Sequence, residues 1–168
     1  MTATVSPVLG ALPNVPYIFA KSNVAAQRAS VNGAGDATSQ ALATITLPPN
    51  LLSGNTSIFV HALFRSTSSA NAKTLNAKLG GSSFGSLSVT TNIANQIAEF
   101  IHADNASNKQ KLANAANGAF HSAASTMIDQ TKDCSVAIDL TLECNWAGAT
   151  LSETIALESY MVIVYPGQ

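Results

Sequence analysis

Cys134-Ser-Val-Ala-Ile-Asp-Leu-Thr-Leu-Glu-Cys-Asn-Trp146 alternates along its whole length. Cys134, Val136, Ile138, Leu140, Leu142, Cys144 and Trp146 fall on one side of an extended chain, and Ser135, Asp139, Thr141, Glu143 and Asn145 on the other. A strand sends successive side chains to opposite faces, so the run predicts a half-buried antiparallel strand with its apolar side on a core. On one strand the two cysteines would lie roughly 33 Å apart, at about 3.3 Å per residue, far beyond the ~4.4–6.8 Å that a disulfide spans between Cα atoms. They read as small buried hydrophobes in a reducing compartment.

Similar patterns recur on both sides of this run. Ile58, Val60, Ala62 and Phe64 alternate against His61 and Arg65, with Phe59 and Leu63 making the second face apolar in part. Leu75, Ala77 and Leu79 oppose Thr74, Asn76 and Lys78, and Gly80-Gly81 supplies the positive φ angles of a tight hairpin leading to a return strand over Phe84–Thr91. Ala41–Leu47, ended by Pro48-Pro49, and Ile97–His102, ended by Asp104-Asn105, add two more strands. In Thr154–Tyr165 the residues Ile155, Leu157, Met161, Ile163 and Tyr165 form the expected core face. Tyr160, Val162 and Val164 make the other face apolar too, which predicts a strand that is covered on both sides or meets another subunit. Asn108–Met127 mixes helical spacing with Gly118 and several asparagines, and its residues leave helix and irregular loop or strand both open. Seven or more short strands separated by turns indicate an all-β antiparallel sandwich.

Residues 1–39 differ from the rest. Pro7, Pro13 and Pro16 interrupt the apolar pieces Val8-Leu9 and Tyr17-Ile18-Phe19, so no amphipathic helix fits. The segment reads as an extended arm with a reach on the order of 125 Å. It either docks on a neighbour through Val8, Leu9, Tyr17, Ile18 and Phe19 or lies along its own sandwich as an edge strand. The domain division is therefore an arm over 1–39 and a sandwich over 40–168.

Composition bounds the function. With 168 residues the chain can bury one core, but only 10% of them are charged against 46% hydrophobic, and the net charge is -1. A surface so poor in charge gives little self-repulsion and predicts a homo-oligomer. The eight Lys and Arg are scattered, which argues against nucleic acid. No apolar run reaches the ~18 residues needed to cross a bilayer, and no secretory leader is recognisable at the N-terminus, so no membrane role is expected.

The polar residues do not assemble into chemistry. Asp139 and Glu143 share a strand face at about 13 Å, too far apart for a retaining or inverting carboxylate pair. His61, His102 and His121 lie on separate elements without ligand spacing, and Gly33-Ala-Gly35 lacks the context of a phosphate loop. No catalytic residue, metal site or cofactor is expected. Glu158 stands among apolar neighbours, where an unpaired charge costs several kcal/mol, so a structural charge pair with Lys78 or Arg65 is expected. Phe59 and Leu63 join Tyr160, Val162 and Val164 as the expected subunit interface.

Several segments together resemble one family. They are Thr38-Ser-Gln-Ala-Leu-Ala-Thr44, Leu47-Pro-Pro-Asn50, Asn71-Ala-Lys-Thr-Leu75, Leu79-Gly-Gly81 and Ala147–Tyr160 with its Glu-Thr-Ile-Ala-Leu-Glu-Ser-Tyr. They are similar to the jelly-roll β-sandwich domains of tailed-bacteriophage structural proteins, over about residues 36–167. The resemblance implies a jelly roll and a virion protein made in the host cytoplasm. One form of it is a head decoration, or cement, protein on the capsid exterior, trimeric and bound to the major capsid protein. The other is a tail-fibre or tail-spike module that binds a host glycan through loops such as 104–111 or 114–121.

Overall fold

The computed structural model describes residues 15–29, 38–113, 127–147 and 152–167. The chain is an all-β antiparallel sandwich in a jelly-roll arrangement. Its strands are β1 (Tyr17–Ser22), β2 (Ala26–Ala29), β3 (Gln40–Leu47), β4 (Ser57–Ser66), β5 (Lys73–Leu79), β6 (Ser82–Val89), β7 (Ala94–Ala103), β8 (Gln110–Ala113), β9 (Met127–Gln130), β10 (Ile138–Trp146) and β11 (Thr154–Tyr165). One sheet, here sheet A, runs β1-β11-β4-β7-β8-β9, with β2 also on β11; sheet B runs β3-β10-β5-β6. Some strands consecutive in sequence, such as β3 and β4 or β10 and β11, lie in opposite sheets, whereas β5–β6 and β7–β8–β9 stay within one.

The alternation of β10 has the expected consequence. Leu140, Leu142, Cys144 and Trp146 are buried between the sheets, beside Leu75, Ala77 and Leu79 of β5 and Ile58, Val60, Ala62 and Phe64 of β4. The strand starts at Ile138, however, and not at Cys134. Residues 131–137 form a connection in which the Gln110 side chain accepts a bond from the Lys132 amide at 2.9 Å and donates to its carbonyl at 2.9 Å. Cys134 is buried there, while Val136 is 56% exposed and leaves the core face. Neither cysteine is in a disulfide.

The hairpin between β5 and β6 turns on Gly80 and Gly81 at φ 52° and 79°. A bulge follows, between Ala77 and Lys78, and brings Gly85 opposite Ala77. A Cβ at Gly85 would stand 2.9 Å from Ile97 Cγ2 and 3.2 Å from Glu99 Cγ. Gly85→Ala is therefore expected to lose about 1–2 kcal/mol by overpacking, read as a lower urea midpoint at unchanged slope.

One assignment from sequence is corrected here, and one choice left open is decided. The first concerns β11, where the register against β4 shifts between Leu157 and Ser159. The extra residue, Glu158, reverses the alternation beyond it, because one inserted residue sends every later side chain to the opposite face. Ile155 and Leu157 point inward as expected, but next come Tyr160, Val162 and Val164, which are at most 8% exposed, while Met161, Ile163 and Tyr165 turn outward. Tyr160, Val162 and Val164 thus belong to the protein's own core and not to a subunit interface.

The second concerns the N-terminal segment. Tyr17, Ile18 and Phe19 lie in β1, which pairs with residues 160–164 of β11, and β2 pairs with residues 154–157 of the same strand. Both strands pair into sheet A, which is the edge-strand alternative for Tyr17, Ile18 and Phe19. The apolar piece that follows Pro16 forms an edge strand, with the residue that lacks an amide just outside it. Val8 and Leu9 lie outside the described residues. At the ends of 108–127 the chain is strand, β8 and β9.

Candidate functional site

Residues opposite one another in an antiparallel pair share a face, so the register gives the outer surface of sheet A. Across β1, β11 and β4 run Ile18, Ile163 and Phe59, and Phe59 is opposite Phe100 on β7. The next such row is Met161, His61 and Ala98. Tyr165, Ser57 and His102 form the row at the end. Four rings gather there: Phe100 lies 4.8 Å from Phe59, 5.8 Å from Tyr165 and 5.5 Å from His102, the last pair stacked at 10°. Ser57 Oγ and His102 Nδ1 are 2.7 Å apart. Ile18 is 52% exposed and Leu63 37%.

On β11, β4 and β7 these rows hold no Asp, Glu, Lys or Arg, and two of them end in a cation on the next strand, Lys21 opposite Met161 and Lys111 opposite His102. Charges stand at the margin, as Lys21 on β1, the pair Lys111–Asp104 at 3.1 Å and the pair Arg65–Glu158 at 2.5 Å. The patch spans four strands, about 20 Å across, and eight residues, about 25 Å along, or about 500 Å² per copy. Monomers seldom expose apolar patches of more than a few hundred Å² without using them. Phe59 and Leu63, marked from sequence, lie on this patch. Phe100, Met161, Ile163 and Tyr165 were missed, the last three because the bulge at Glu158 leaves no trace in the alternation.

The outer face of sheet B is the opposite in character. Thr44 faces Thr141, Thr74 faces Asn145, and Asn76 faces Glu143. Hydroxyls and amides dominate it, around a single ion pair.

That ion pair decides between the two partners expected for Glu158. Lys78 Nζ donates to Glu143 Oε2 at 2.5 Å, and Glu158 is held by Arg65 instead. Lys78 and Glu158 lie in different sheets, so the hairpin and the last strand never bring them together. Burial pushes the Glu143 carboxyl up, but bonds from Lys78, Ser39 and Thr141 outweigh it and hold the group below the usual carboxylate range. Arg65 is 61% exposed and Lys78 22%. Arg65→Ala is therefore expected to cost under about 1 kcal/mol and Lys78→Ala about 1–2 kcal/mol, compared by chemical denaturation at pH 7.

Two buried charged residues lie on inner faces. Lys73 is fully buried and donates to Ser69 Oγ at 2.8 Å, Asn71 O at 3.0 Å and Thr90 O at 3.3 Å. Asn71 in turn donates to Glu153 Oε1 at 3.0 Å, which fastens the start of β11 to the start of β5. Glu99, on β7, is 6% exposed and its Oε1 has no partner among the described residues. Burial raises its carboxyl to about 7. Both positions were legible as in phase with their apolar neighbours, Leu75 for Lys73 and Ile97 for Glu99. His61 and His102 lie on the outer face of sheet A; His121 is outside the described residues. Among the described residues no group of three His, Cys, Asp or Glu could hold a metal ion.

No protein-family model and no curated protein matches the sequence. Among solved structures, the chain is similar to one in the structure of infectious bursal disease virus Gx strain, at 10% identity and a TM-score of 0.47 over 99% of this chain and 37% of that one. It is also similar to winged bean acidic lectin complexed with methyl-α-D-galactose, at 10% identity and a TM-score of 0.36 over 93% of this chain and 100% of that one. The chain thus spans just over a third of the length of the viral chain.

Proposed function

We propose that this chain is a non-enzymatic structural protein of a tailed-bacteriophage virion, acting as a decoration, or cement, protein on the exterior of the head. It assembles with copies of itself, as a trimer, through the outer face of sheet A, and its N-terminal residues reach the major capsid protein. The observation that carries the reading is the uncharged aromatic patch of Phe59, Phe100, Ile163 and Tyr165, on a chain whose net charge is -1. Two such patches together bury about 1,000 Å², the lower bound for a specific contact, and a closed ring of three uses the surface more than once. Sheet B, with its hydroxyls and amides, is left to face solvent. The role calls for no cofactor, nucleic acid or membrane.

Cement proteins act by crosslinking, so head binding is the test. The full chain is expected to co-sediment with purified heads, and a chain lacking residues 1–14, which keeps every described strand, to stay in the supernatant while still folded. A full chain that does not sediment with heads removes the decoration role. A tail-fibre or tail-spike module is the second reading, and a cleft beside Arg65 is the feature that favours it.

A further inference from the structure

At the far end of the same sheet, eight residues along β4 from Ser57 and so about 26 Å from the aromatic end, Gln27, Ala156 and Arg65 form one row across β2, β11 and β4. Ala156 is the short member between two long polar side chains, and the gap it leaves opens into a cleft of about 180 Å³ lined also by Thr67, Ser68 and Ile93. The walls are fixed. Thr67 N donates to Thr154 O at 3.0 Å and Thr154 N to Thr67 Oγ1 at 2.9 Å, while Ser66 N donates to Ile93 O at 2.9 Å. Ser66 Oγ, 2.7 Å from Asn92 O, also accepts from Asn95 Nδ2 at 3.2 Å.

The lining has the chemistry of a site for a neutral hydroxylated ring. Gln27 offers a donor and an acceptor, and Ser68 a hydroxyl. Arg65 gives Nε to Glu158, which offsets its charge, and its terminal amino groups remain as paired donors. A guest that is itself anionic gains little from a guanidinium already neutralised, whereas one with both donors and acceptors matches each group. Ile93, 57% exposed, supplies an apolar surface for C–H groups. The volume is below the ~300 Å³ at which drug-sized pockets begin, so it suits one ring and not a chain. We propose that this cleft binds a single neutral hexopyranose unit of a glycan.

The test is a titration of the uniformly ¹⁵N-labelled full chain with the methyl glycosides of glucose, galactose, mannose and N-acetylglucosamine, one at a time. Concentrations reach about 50 mM, above the ~1 mM scale of a weak one-ring site. At least one glycoside is expected to shift amides confined to Gln27, Arg65–Ser68, Ile93 and Thr154–Ala156. Gln27→Ala with Arg65→Ala should weaken it about 30-fold by removing two bonding groups. Ile93→Asp, on an exposed position, should weaken it independently through loss of the apolar surface. Saturable shifts that map elsewhere, no shifts with any of the four, or unchanged affinity in both variants would overturn the proposal. Oligomers that bind no glycoside remove this site alone; a monomer that binds one removes the assembly reading alone.

Discussion

Phe59→Glu with Phe100→Glu should leave a folded protein that no longer self-associates. In the separate protomer both positions face solvent from an intact sheet, so carboxylates there cost little and the unfolding transition should persist. In the assembly the same carboxylates would be enclosed among Tyr165, Ile163 and Met161 with no cation in their own row, since Lys21 and Lys111 end the two neighbouring rows and Arg65 stands at the margin. Losing two aromatic anchors costs about 2 kcal/mol each or more, before the desolvation of the new charges. Association should weaken at least about 10³-fold. Native mass spectrometry over a concentration series reads the effect, with Phe59→Leu, which keeps the apolar surface, as the variant expected to remain oligomeric. A double variant that assembles as well as the parent would show that this face is not the contact.

The second large effect follows from Glu99. Its carboxyl is raised to about 7 by burial, against an ordinary value near 4.5. Between those two pH values the unfolded chain ionises while the folded chain keeps the proton, so the folded state binds more protons and stability falls as pH rises. The contribution is fully present below about pH 4.5 and lost by about pH 8. A shift of this size corresponds to about 3 kcal/mol at 1.36 kcal/mol per unit. Glu143 works in the opposite sense, because its carboxyl is held low and its contribution disappears as acid protonates it. The full chain should thus be more stable near pH 5 than at pH 8. Glu99→Gln, with the shape of the protonated acid, should abolish that difference and exceed the parent at pH 8 by about 2–3 kcal/mol. Urea midpoints at pH 5 and pH 8 for the two proteins provide the check; a parent protein equally stable at both would contradict it.

The legible parts of this fold are those where one local signal decides the structure. Alternation places Leu140 to Trp146 and Ile58 to Phe64 on the core, and Gly80-Gly81 needs only its own backbone freedom to mark the β5–β6 turn. What sequence alone misplaced depends on partners. Glu158 bulges because of its register with β4, and that single residue moved Tyr160, Val162 and Val164 inward and Met161, Ile163 and Tyr165 outward. Lys78 went to Glu143 because sheet membership, not residue type, decides which charges meet. Tyr17 to Phe19 were free to pair with any exposed edge, and β11 offered one. The aromatic patch was legible only in half, through Phe59 and Leu63, since Phe100 and Tyr165 meet them through strand order. The cleft at Ala156 had no sequence signal, because a small residue between two long ones in a row across three strands is invisible along the chain.

Photo-crosslinking tests the assembly most directly, by asking which face lies against another copy. A benzophenone amino acid in place of Tyr165, on the outer face of sheet A, is expected to yield covalent multimers up to the trimer on irradiation at micromolar concentration. The same group in place of Thr74, on the outer face of sheet B, should yield monomer. Multimers from position 74 but none from position 165 would contradict the account.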